Sequence, residues 1–188
     1  MHETFYLLMN DIAVELAKLH ILQGADFIRQ LRLIVSFHEF QPVTGETNIY
    51  SAISEDNIDY QSLLNAARKA VAHGYCVYIL PNPKGIRTAD FIFEQKGIYK
   101  MYDLKTIQGK SSVFNRLIES VGQTNHVLLN MTTNYNARIL AADIKAYFKM
   151  NATAIEVLIF KGNKVLSVKR GVAMNPLFNK IFRKLYEK

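Results

Sequence analysis

The chain has 188 residues, 49% of them apolar and 11% aromatic, with 23 Lys+Arg against 16 Asp+Glu for a formal charge of +7. That much apolar material excludes a disordered or low-complexity chain. The single cysteine, Cys76, excludes a disulfide framework and a thiolate metal centre. No window reaches the ~20 uncharged apolar residues that span a bilayer, and no basic segment followed by an apolar stretch opens the chain, so a cytoplasmic protein is expected. The charge is lopsided: residues 1–60 carry nine acids and three bases, or −6, and residues 61–188 carry seven acids and 20 bases, or +13. A segment so basic fits a polyanionic partner better than it fits solubility alone.

In chain order, Ile12, Leu16, Leu19, Leu22, Phe27, Leu31 and Ile34 recur at helical spacing, which predicts a helix over 11–37 with a break near Gly24. Residues 41–57, with Pro42, Gly45 and several Ser, Thr and Asn, have linker composition. Leu63, Leu64, Ala67 and Val71 predict a helix over 60–73 with Gly74 at its C-terminal cap. Residues 75–80 then read as a strand. Residues 89–94 and 98–104 read as a hairpin turning at Lys96-Gly97, and Ser111 or Ser112 caps a helix running to about Val121. Residues 126–131 read as a strand, 137–150 as an amphipathic helix, and 154–168 as a second hairpin turning at Gly162-Asn163. The last stretch, 176–188, reads as a basic amphipathic helix with Leu177, Ile181, Phe182 and Leu185 inward. The economical architecture for this order is mixed α/β, a central sheet flanked by helices.

The first hairpin carries the chemistry. A two-residue turn at Lys96-Gly97 sets Asp90 opposite Asp103 by register. Opposed like charges destabilise a sheet by roughly 0.2–1 kcal/mol, so a compensating group is expected. A divalent cation, Mg²⁺ or Mn²⁺ with Zn²⁺ as a further option, fits two carboxylates on rigid strands. Lys105 falls on the face of Asp103 by strand periodicity, where an ammonium orients water or stabilises charge developing on a phosphate.

These residues carry a resemblance. The runs Asp59-Tyr60-Gln61-Ser62-Leu63-Leu64, Gly74-Tyr75-Cys76-Val77-Tyr78-Ile79-Leu80-Pro81, Thr88-Ala89-Asp90-Phe91-Ile92-Phe93, Tyr102-Asp103-Leu104-Lys105-Thr106 and Val121-Gly122-Gln123-Thr124-Asn125-His126 resemble the C-terminal nuclease domain of contact-dependent growth inhibition toxins, members of the PD-(D/E)xK nuclease superfamily. The resemblance covers about residues 59–168. It implies an αβββαβ core and a metal-dependent phosphodiesterase, with RNA, tRNA first, as substrate and an acidic immunity protein as partner. It also implies Asp90 and Asp103 as metal ligands, Lys105 as the motif lysine and Gln123 as a polar position on the following helix. Two positions depart from the pattern. Ala89 stands where the named motif has proline, and the helix before the first strand offers Gln61 and Asn65 but no Glu, leaving Glu46 or Glu55 upstream as substitutes.

The resulting division is an acidic helical appendage and linker over 1–57, a nuclease domain over 58–170 and a basic C-terminal helix over 171–188. Lys84, Arg87, Lys110 and Arg116 are expected to bind substrate, within a wider basic set that includes Lys161 and Arg170. Tyr78, Tyr99, Tyr102 and Tyr147 are available for base stacking. Gly109-Lys110-Ser111 is not a P-loop, because Leu104 stands where the motif needs glycine. His73 and His126 lie outside metal-ligand spacing. A DNA endonuclease and a non-catalytic nucleic-acid-binding module are the alternative readings.

Overall fold

The structure, a computed structural model, describes residues 12, 14–19, 21–37, 40–82, 85, 87–109 and 112–188. It forms two compact units, residues 1–101 and 102–188. The first holds 11 acids and nine bases, or −2, and the second five acids and 14 bases, or +9. Both mix helices with parallel and antiparallel strands, as expected of the α/β class.

In the first unit, residues 14–18 are helical. They are followed by α1 (Gly24–Phe37), β1 (Gln41–Pro42), β2 (Ile49–Ser51), α2 (Tyr60–Ala72), β3 (Cys76–Ile79) and β4 (Phe91–Gln95), and β5 (Ile98–Ile107) begins here. The helical break falls at Gly24, as expected, with φ 55°. The linker reading of 41–57 is corrected. Gln41–Pro42 pairs antiparallel with β2, and β2 pairs parallel with β3 from Ile49↔Val77 to Ser51↔Ile79. Pro42 is tolerated because β1 lies at the margin of this sheet, where a missing N–H breaks no central ladder. Strands of two and three residues are too short to show alternation.

Helix α2 ends in a Schellman motif. Gly74 N donates to Val71 O at 2.9 Å and Tyr75 N to Ala70 O at 3.2 Å, with Gly74 at φ 83°. Lys96 and Gly97, at φ 53° and 77°, make the two-residue turn expected between β4 and β5, and both positive angles are those of a type I′ turn. The unit's core joins Ile12, Leu16, Leu19, Leu31 and Ile34 to Leu80, Ala89, Ile92 and Met101. The acidic N-terminal segment is therefore held by apolar burial in a core shared with residues near β3 and β4.

In the second unit β5 continues, followed by α3 (Val113–Glu119), β6 (His126–Met131), α4 (Ala137–Met150), β7 (Glu156–Lys161), β8 (Lys164–Lys169), α5 (Arg170–Ala173) and α6 (Phe178–Glu187). From α2 to β6 the chain order is αβββαβ, as expected. Strands β5, β6 and β7 are parallel, with Asp103↔Val127 and Val127↔Val157, and β8 returns antiparallel through Gly162-Asn163 with Lys161↔Lys164. Ile107, Val127, Leu129, Val157 and Ile159 lie on one face and pack against α3, α4 and α6.

Helix α4 is capped by Asn136, whose Oδ1 accepts from Arg138 N at 2.9 Å and Ile139 N at 3.3 Å. Ser112 caps α3, accepting from Asn115 N. The expected inward face of α6 is corrected by one position. Phe178, Phe182 and Tyr186 are buried, while Leu177, Ile181 and Leu185 are exposed. The larger aromatic series takes the core, and only Phe182 is common to both readings.

Candidate functional site

Asp103 and Lys105 lie on β5 two residues apart, so strand periodicity sends both side chains to the helix-covered face. Lys105 Nζ lies 2.9 Å from Asp103 Oδ2, and the side chains are 12% and 3% exposed. A charge so buried needs both a counter-charge and hydrogen bonds. The second partner comes from α3. Val113, Leu117 and Ser120, at i, i+4 and i+7, are all buried, and Ser120 Oγ donates to Asp103 Oδ2 at 2.5 Å. Both contacts fall on Oδ2.

Tyr147 of α4 borders this pair. Burial, followed by the charge of Asp103, pushes its phenol above the ordinary range, against an Asn151 hydrogen bond and the charge of Arg170. Asn151 Nδ2 donates to Tyr147 Oη at 3.2 Å.

A second buried carboxylate, Glu156, opens β7. The next residue, Val157, is in register with Val127 and through it with Asp103 and so shares the face of Asp103, and Glu156 points to the opposite face. Tyr102 Oη donates to its Oε2 at 2.9 Å and Ser167 Oγ to its Oε1 at 2.5 Å. The His126 ring packs edge-on against Tyr102 at 5.5 Å between centroids. Asp103 and Glu156 cannot share one ion across the sheet. Among the described residues no three His, Cys, Asp or Glu side chains gather as a metal cluster.

The other expected residues fall as follows. Asp90 is half-buried in the first unit, immediately before β4, and its carbonyl accepts from Leu80 N at 2.8 Å. Gln123 lies in the turn after α3 and donates Nε2 to Glu119 O at 2.9 Å. The hydroxyl of Ser120 meets Asp103 instead. Ser120 was legible only as the polar member of a buried helical stripe.

Arg87 is exposed. Arg116 pairs with Glu119 at 2.8 Å on the surface. Lys84 and Lys110 lie outside the described residues. Glu46 pairs with Arg68 at 2.6 Å. Tyr102 and Tyr147 are fully buried, which corrects their expected role in base stacking, whereas Tyr78 and Tyr99 are half-exposed. Two of the expected phosphate contacts serve the fold. Lys161 Nζ donates to Tyr186 O at 2.8 Å, and Arg170 donates to the carbonyls of Ala154 and Asn151.

The donors gathered at Asp103, a carboxylate and a hydroxyl, are hard oxygens of the kind Mg²⁺ and Mn²⁺ take. Asp103 Oδ1 lies outside both contacts. An ammonium fixed at hydrogen-bond distance from a buried carboxylate can in turn stabilise negative charge developing beside it.

No family model matches the chain and no curated protein matches it. Among solved structures, a chain of the "CdiA-CT/CdiI toxin and immunity complex from Burkholderia pseudomallei" is similar at a TM-score of 0.40 and 13% identity, over 62% of this chain and 92% of that one.

Proposed function

We propose that the chain is a Mg²⁺- or Mn²⁺-dependent nuclease. The observation that carries the reading is the Asp103–Lys105 pair, a charged pair in Asp-x-Lys spacing buried on a strand inside a unit of net charge +9. Asp103 holds the metal, joined by Asp90 on the sequence pattern. The bound ion supplies Lewis-acid activation of a water and of the scissile phosphate. Lys105 fixes the orientation of the Asp103 carboxylate and stabilises charge on the phosphate oxygens, while Ser120 holds Oδ2. The positive field of the second unit concentrates polyanions near the pair.

The sequence resemblance favours RNA, with tRNA first. It also favours an acidic immunity protein as partner, and action in the cytoplasm of a target cell. The metal chemistry does not distinguish the sugars, so duplex DNA is the alternative substrate. A second reading, a nucleic-acid-binding module without turnover, is favoured by one observation: Lys105 already neutralises Asp103, and no third ligand gathers there among the described residues.

Purified protein incubated with total RNA and with duplex DNA, in Mn²⁺ or in EDTA, tests these readings. Metal-dependent cutting lost in Asp103→Asn and Asp90→Asn supports the nuclease and identifies its substrate. Tight binding without cutting by wild type would overturn it in favour of the binding module.

A further inference from the structure

Helix α6 has two apolar stripes, and the core uses one. Phe178, Phe182 and Tyr186 are buried in the second unit. Leu177, at the N-cap, with Ile181 and Leu185 form a second stripe beside them, 60%, 49% and 51% exposed. At the helical repeat these three span about 80° of the circumference.

Each is followed three residues later by an exposed lysine: Lys180, Lys184 and Lys188. Residues three apart are neighbours on a helix surface, so a row of ammonium groups edges the aliphatic stripe. None of these lysines has an acidic side-chain partner among the described residues. The one acid of the helix, Glu187, lies beyond the lysine row from the aliphatic stripe and faces Arg183 Nε at 3.6 Å. Single exposed aliphatics are ordinary on a protein surface. A periodic row beside three lysines that form no ion pair among the described residues, on a unit of +9, presents both apolar area and charge to one partner.

We infer that α6 is an interfacial helix that docks the second unit on an anionic lipid surface. The composition selects the partner. Protein interfaces draw their central contacts from aromatic residues and arginine and are poor in lysine. A nucleic acid would occupy the lysines and leave the aliphatics in water. At a lipid interface Leu177, Ile181 and Leu185 enter the acyl boundary while the lysine stems lie along it and their ammonium groups reach the headgroups. The helix axis lies in the plane of the surface, and no described helix is long and apolar enough to cross a membrane.

The test is co-sedimentation of the full chain with vesicles of phosphatidylcholine alone and of phosphatidylcholine mixed with phosphatidylglycerol. Binding is expected only to the mixed vesicles and weakens with added salt. Replacing Lys180, Lys184 and Lys188 by serine should weaken partitioning by about fivefold per lysine. Ile181→Ser with Leu185→Ser should weaken it at least about tenfold. Neither set touches Phe178, Phe182 or Tyr186. Should the serine variants unfold, an environment-sensitive fluorophore on Leu185→Cys in a Cys76→Ala background gives the same information, a blue shift on mixed vesicles being expected. Absence of wild-type binding, absence of the shift, or loss in the lysine variant with full retention in the aliphatic variant would overturn the proposal. The last pattern is attraction to any polyanion, an acidic protein or a nucleic acid included.

Discussion

Replacing Lys105 with methionine isolates the charge in the buried pair. Methionine keeps much of the apolar bulk of the stem and removes the ammonium that lies 2.9 Å from Asp103 Oδ2, leaving a carboxylate only 3% exposed with the Ser120 hydroxyl as its hydrogen-bond donor. Removing one member of a buried pair costs about 3–5 kcal/mol, because the survivor is an uncompensated buried charge. The retained Ser120 bond and the residual 12% exposure of Lys105 place the expectation at the lower end, about 3 kcal/mol. Adding Asp103→Asn removes the stranded charge while keeping an oxygen for Ser120, so the double variant should lie within about 1–2 kcal/mol of wild type. Urea unfolding followed by far-ultraviolet circular dichroism measures all three proteins. A Lys105→Met loss below about 1 kcal/mol, the size of an exposed pair, would refute the reasoning. The double variant also separates fold from chemistry: it should be folded and unable to cut.

Four further outcomes follow from single groups. Lys161→Met removes the donor to Tyr186 O and the cation 3.9 Å from the Tyr186 ring centroid, so it should cost about 1–2 kcal/mol and speed amide exchange first in the last turn of α6. Gly97→Ala should destabilise by about 1 kcal/mol through its φ of 77° alone, since nothing lies within 4 Å of the added carbon, and Lys96→Asn should stabilise slightly by relieving φ 53°. Both are read as shifts in the urea midpoint. Burial, with the Cys76 hydrogen bond next, pushes the Tyr78 phenol well above its ordinary value of 10.0. The unfolded phenol releases its proton near pH 10 while the folded one keeps it, so the native state holds more protons there and stability falls as pH rises through that range. Tyr78→Phe should flatten that alkaline limb in thermal melts taken at a series of pH values.

Long periodic elements were legible in the sequence with little error. Residues 126–131 and 137–150 form their strand and helix at the expected bounds, and both two-residue turns fall on the glycines expected to make them. In these cases the local pattern and the packing ask for the same conformation. Legibility failed where tertiary pairing decides. Ile49–Ser51 is a strand because β3 offers it a ladder, and Gln41–Pro42 because Ile49–Ser51 in turn offers it one, while the composition of both reads as loop. In α6 two apolar series run side by side along one helix, and periodicity cannot say which of them the core will cover. At the candidate site, Asp103 and Lys105 followed from strand spacing. Ser120 did not, because a hydroxyl on a buried helical stripe identifies its partner only once β5 and α3 are packed.

The two buried carboxylates of the second unit show why the Asp103 site needs an account beyond stability. Glu156 accepts from Tyr102 on β5, one strand beyond its neighbour β6, and from Ser167 on its other neighbour β8, so its bonds tie together strands far apart in sequence. Asp103 is bonded instead to Lys105 on its own strand, two residues away, a contact that ties no new element to β5. Burying an ammonium beside a carboxylate incurs desolvation that their attraction barely offsets, and apolar replacements of such pairs are commonly as stable or more so. The Ser120 hydroxyl alone already links α3 to β5. The Asp103–Lys105 pair is thus one that a neutral pair could replace in the fold, and under the proposed function its ammonium and carboxylate would act together on a bound phosphate. This is the physical ground for assigning the pair to chemistry.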